Sequence, residues 1–104
     1  MKKIHLALST HNLKQSISEY NQRLSAKPTI IIENEYALWR TETINFSLRV
    51  DYNCVPGTLR HLGWEDDNAP EFSEDKDING ITWESFSYEH QLAEIKSIWN
   101  IENT

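Results

Sequence analysis

The sequence predicts an α+β domain that opens with a βαβββ module carrying a curved mixed sheet and a helix on one face. Three observations carry that prediction. Residues 3–9 alternate apolar and polar, with Ile4, Leu6 and Leu8 on one side and His5, Ala7 and Ser9 on the other, the period of a half-buried strand. Leu13, Ile17, Tyr20 and Leu24 then recur at helical spacing, one apolar stripe over three turns. Three short runs rich in branched and aromatic residues follow, joined by polar connections of hairpin length.

In chain order, Thr10 or Asn12 supplies the helix cap, because a short side-chain oxygen can accept a bond from a free first-turn amide. Pro28 stops helical continuation and pushes Lys27 towards extended geometry. Residues 29–32, 36–40 and 44–50 are the next three strands, with Phe46, Leu48 and Val50 sharing a face. Ile4, Leu6, Leu8 and that trio are the expected partners of the helix stripe. Residues 51–58 are a loop turning at Pro56-Gly57, and 59–65 a fifth strand with Leu62 and Trp64 inward to a helix. Residues 66–77 are acidic, contain Pro70 and read as a loop. Asn79-Gly80 marks a turn, 81–88 a sixth strand and 89–101 a closing helix, with Leu92, Ile95, Ile98 and Trp99 at helical spacing. The tail 102–104 reads as frayed. The 104 residues make one domain, 1–50 being the first module and 58–104 an incomplete second one.

Composition narrows the function classes. A net charge of −6, with no basic cluster beyond Lys2-Lys3, argues against nucleic-acid binding. No apolar run approaches the roughly 20 residues that cross a bilayer, and no signal-peptide core is present, so no membrane attachment is expected. The lone Cys54 excludes an intrachain disulfide or a cysteine-based zinc site and fits a cytoplasmic protein. His11 and His90 read as surface residues at helix starts, and the acidic stretch lacks the Gly and terminal Glu of a calcium loop.

With the elements in place, Ile4-His5-Leu6-Ala7-Leu8 followed by Asn12-Leu13-Lys14-Gln15-Ser16-Ile17-Ser18-Glu19-Tyr20 resembles the opening of the glyoxalase/bleomycin-resistance/extradiol-dioxygenase superfamily, the vicinal-oxygen-chelate fold. Leu59-Arg60-His61-Leu62-Gly63 resembles the His-Leu-Gly that starts the second module there. Tyr36-Ala37-Leu38-Trp39 and Ile44-Asn45-Phe46-Ser47-Leu48 are similar to the branch of cadmium-induced and organoarsenical-lyase proteins. The resemblance covers roughly residues 3–65.

It implies two modules enclosing a site for one divalent metal ion (Ni, Zn, Fe or Mn), with His5 and His61 at the first two ligand positions. The third ligand, a Glu late in the second module, has no counterpart in so short a second half. Glu65, on the strand face of His61, completes the expected set of His5, His61 and Glu65. It lies about 6.5–7 Å along the strand from His61. Glu84 in the sixth strand is the other residue able to stand in, and a partner chain could also supply a ligand.

Three functions remain open. The leading one is a dimeric small-ligand-binding protein without established catalysis, its inter-sheet cup holding His5 and His61. The second is a divalent-metal-dependent lyase, isomerase or dioxygenase of the superfamily. The third is a protein-interaction domain, an adaptor or immunity-like protein. No catalytic residue is assigned; Cys54 has no base beside it in the sequence.

Overall fold

The computed structural model describes residues 1–100. The elements run β1 (Lys2–Thr10), α1 (Leu13–Leu24), β2 (Ile30–Ile32), β3 (Tyr36–Arg40), β4 (Ile44–Val50), β5 (Leu59–Asp66), β6 (Ser73–Lys76), β7 (Thr82–Phe86) and α2 (Tyr88–Trp99). The seven strands form one mixed sheet in the order β2-β3-β4-β1-β5-β7-β6. The α+β class and the βαβββ opening follow the sequence reading.

β1 and β4 pair in parallel, which requires a crossover, and α1 begins it. Asn12 is the cap: its side-chain oxygen accepts from the Gln15 amide at 3.0 Å. The helix ends at Ser25, in the left-handed region at φ 51°. The stripe Leu13, Ile17, Tyr20 and Leu24 packs on Ala37, Trp39 and Leu48. A second cluster gathers Tyr36, Leu38 and Ile95, with Tyr88 and Trp99 against it. Ala37 and Trp39 therefore face α1 while Tyr36 and Leu38 face α2. A strand covered on both faces reads as a continuous apolar run, which is why Tyr36-Ala37-Leu38-Trp39 shows no alternation.

Three expectations need correction. The acidic stretch 66–77 is not all loop: Ser73–Lys76 is a strand, antiparallel to β7. Its residues are all exposed, so no apolar alternation announced it, and its charges suit an unpaired edge. Asp77 fixes the hairpin to β7, its carboxylate accepting from the amides of Asn79 and Ile81 and from the Trp83 indole N–H. Second, Leu62 and Trp64 do not lie beneath a helix. α1 covers the β3–β4 side of its face, and Trp64 is left 40% exposed. Third, the closing helix starts at Tyr88 and reaches Trp99; the part of that expectation at Ile101, like the tail, falls outside the described residues.

β5 and β7 run in parallel with Gly63 opposite Glu84. A Cβ at Gly63 would meet the backbone carbonyl oxygen of Glu84. The missing side chain is what lets β7 dock there. Gly63→Ala is expected to lower the unfolding free energy by about 2 kcal/mol, as overpacking of a rigid contact does, read from urea denaturation curves.

Candidate metal centre

Three neighbouring strands bring the candidate residues together on the face under α2. On β1, His5 lies opposite Gly63 of β5. Gly63 lies opposite Glu84 of β7. His61 is two residues from Gly63 on β5, hence on the same face. His5 Nε2 and His61 Nε2 are 2.9 Å apart. Glu84 Oε1 lies 3.1 Å from His61 Nε2 and 3.9 Å from His5 Nε2. Donor atoms each about 2.1 Å from one ion stand about 3.0–3.4 Å apart in octahedral or tetrahedral geometry, and these separations bracket that range. His5, His61 and Glu84 form a group that could hold a metal ion.

The orientation of His5 follows from its neighbours. The Asn45 amide nitrogen donates to Glu65 Oε1 and to Gln91 Oε1, both at 2.8 Å. Its two hydrogens are thereby used, so its Oδ1 is the atom facing His5 Nδ1, at 2.8 Å. The Asn45 backbone carbonyl lies 3.1 Å from the same nitrogen. Between two acceptors Nδ1 must carry the proton, which leaves the Nε2 lone pair aimed at His61 and Glu84. Histidine ligands of metals are held in this way. Phe86 packs edge-on against the His5 ring, centroids 4.9 Å apart. Burial first, and then the neighbouring His61, push His5 below its ordinary pKa of 6.5, favouring the neutral imidazole that a metal requires.

Glu65 takes another role. It faces the same side as His61 but is almost wholly buried, and Arg40 grips both of its oxygens, Nε to Oε1 and Nη2 to Oε2, each at 2.8 Å. The guanidinium stacks on Tyr88, 3.6 Å from the ring centroid. Burial raises the Glu65 pKa, but the hydrogen bonds from Arg40 and Asn45 outweigh it and hold the carboxyl below its ordinary value. A buried carboxylate held by a fork of donors is costly to release. Of the expected set, the structure brings His5 and His61 together and places Glu84, not Glu65, beside them. Glu65 supports the site from behind, through Asn45.

The triad opens into a cleft between the sheet and α2, lined among others by Tyr36, Phe86, Ile95 and Trp99. Burial pushes the Tyr36 phenol up to about 12, so it stays protonated. Sequence reasoning missed the contributions of Asn45 and Gln91. Asn45 alternates with Phe46 along its strand, and that polar inward position was its only signal. His11 is exposed, its ring Nε2 against the Cys54 carbonyl at 2.6 Å. His90 closes a capping box with Ser87. Neither joins the triad.

The His5 environment has a pH signature. The unfolded chain takes up a proton at His5 near 6.5, while the folded chain does so only at lower pH. The folded state therefore loses no stability through His5 above 6.5, and loses it progressively as pH falls below that value. Chemical unfolding of the metal-free protein, stepped from about pH 7.5 to 5.5, is expected to show this decline, and His5→Gln should flatten it.

No family model matches the chain, and neither does any curated protein, so the reading of this site rests on its own geometry.

Proposed function

We propose that the chain is a divalent-metal-dependent protein that binds a small oxygen-bearing ligand between its sheet and its C-terminal helix. His5, His61 and Glu84 are the protein ligands, and Ni, Zn, Fe or Mn the candidate ions. The observation that supports this reading is the convergence of two imidazole nitrogens and one carboxylate oxygen at the floor of an open cavity. Two His and one carboxylate leave coordination positions for a ligand. When bound, a divalent ion supplies Lewis-acid polarisation of a ligand oxygen.

The residues around it have separate tasks. Asn45 and Gln91 keep the His5 ring turned, Glu84 provides the negative charge, and Phe86 and Ile95 keep the floor dry. The activity class that fits this arrangement is a lyase, isomerase or dioxygenase of the vicinal-oxygen-chelate kind.

Protein purified without a histidine tag is expected to carry or take up about one divalent ion per chain, read by elemental mass spectrometry and titration calorimetry. Glu84→Ala and His61→Ala should each weaken the ion by at least about a hundredfold, whereas Glu65→Gln retains measurable binding. If Glu65→Gln abolished binding and Glu84→Ala did not, the ligand assignment would be wrong.

Homodimerisation is a second element of the reading, favoured by the face beyond α1. Trp64 is exposed there and Ile4, Leu6 and Leu62 are only half-buried. A second copy would cover this apolar strip. Light scattering at high micromolar concentration should return twice the chain mass, and Trp64→Glu should return the monomer.

A further inference from the structure

The cavity beside the triad also carries two guanidinium groups. Arg49 comes from β4 and Arg60 from β5, and both line it. Arg60 precedes His61 in the chain, and in a regular strand successive residues point to opposite faces. Here the β1–β5 register shifts between Ala7 and Leu8: Ala7 pairs with His61 and Leu8 with Leu59. Arg60 is the extra residue of a bulge, a device that re-aims a side chain. The bulge lets Arg60 line the cavity together with its neighbour His61.

The chain has four arginines. Arg23 pairs with Glu19, and Arg40 with Glu65. Among the described residues, Arg49 and Arg60 have no carboxylate oxygen within 4.0 Å. Two carboxylates share the cavity with them: Glu84 is drawn to His61, and Glu94 is exposed at the mouth. Arg49 packs toward the Trp99 ring, 5.2 Å from its centroid. Glu84, Glu94 and Asp51 act on the two guanidinium groups only from a distance, and two cations without a directly paired carboxylate are relieved when an anion lies between them.

We propose that Arg49 and Arg60 form a clamp for the carboxylate of a small organic acid, whose apolar body lies against Phe86, Ile98 and Trp99. Guanidinium forks match a carboxylate in geometry as well as charge. The inference rests on reading the triad cavity as the ligand site, and it names the class of ligand.

The clamp is tested on the EDTA-treated protein, so that no carboxylate binds through a metal. Titration calorimetry compares benzoate and phenylacetate with their uncharged amides. The acids should bind at least about tenfold more tightly than the amides, as expected for charge-assisted hydrogen bonds. Arg60→Met and Arg49→Met, each checked by circular dichroism for a native spectrum, should erase that preference, and Arg60→Lys should restore part of it. Equal binding of acids and amides by the unmodified protein overturns the clamp, even if neither arginine variant folds. So does an acid preference that survives both methionine variants. A chain that takes up no metal yet shows the arginine-dependent preference would retain the clamp and lose the metal reading. A metal-binding chain without the preference would do the reverse.

Discussion

The buried amide of Asn45 is the contact on which the site depends. It stands at the meeting of two requirements that oppose each other in a protein interior. Glu65 brings a full negative charge under α2, and His5 must present an unprotonated nitrogen a few ångströms away. Arg40 neutralises the first, and the Asn45 side chain links the two by donating to Glu65 and accepting from His5. Gln91 meets the same amide with both of its own polar atoms. Asn45, Glu65 and Gln91 thus satisfy one another, as a low-dielectric interior demands. The network also orients the imidazole, so the same bonds that make the interior tolerable prepare the site.

The two helices divide the labour. α1 packs its stripe on Trp39 and Leu48 and supplies bulk stability on one face. α2 covers the other face only partly, contributing Gln91 to the Asn45 network and Ile95 to the second cluster. The uncovered part becomes the cavity. Its floor spans β1, β5 and β7, and it exists because Gly63 lets the last of these approach so closely. Neutral and anionic donors lie at that floor, while Arg49, Arg60 and aromatic rings line the walls. Such polarity across a few ångströms suits a ligand with one end for a metal and another for guanidinium groups.

Much of this was legible in local pattern. The period of two at Ile4–Ser9, the stripe from Leu13 to Leu24 and the three short runs after Pro28 report which side of each element is dry, and that is a property of neighbouring residues. The alternation also put His5 and His61 on faces away from the apolar residues. Ser73–Lys76 was not legible, because an edge strand with every side chain in water has no face to report. Leu62 and Trp64 misled for a related reason: their alternation shows an apolar face but not what covers it.

What the chain determined by itself was therefore its elements and the faces they present, since side-chain periodicity and backbone geometry are coupled residue by residue. The third member of the triad was decided only by tertiary structure. Glu65 and Glu84 are both acidic residues in strands, and nothing in local pattern separates them. The separation comes from register and reach: Arg40, distant in sequence, neutralises Glu65, while the parallel pairing of β5 with β7 sets Glu84 beside His61. Arg60 is the same kind of case, since it lines the cavity beside His61 only where the β1–β5 register shifts. Long-range pairing carries the chemistry because a buried charge goes wherever a counter-charge meets it, and that place is defined by the whole fold.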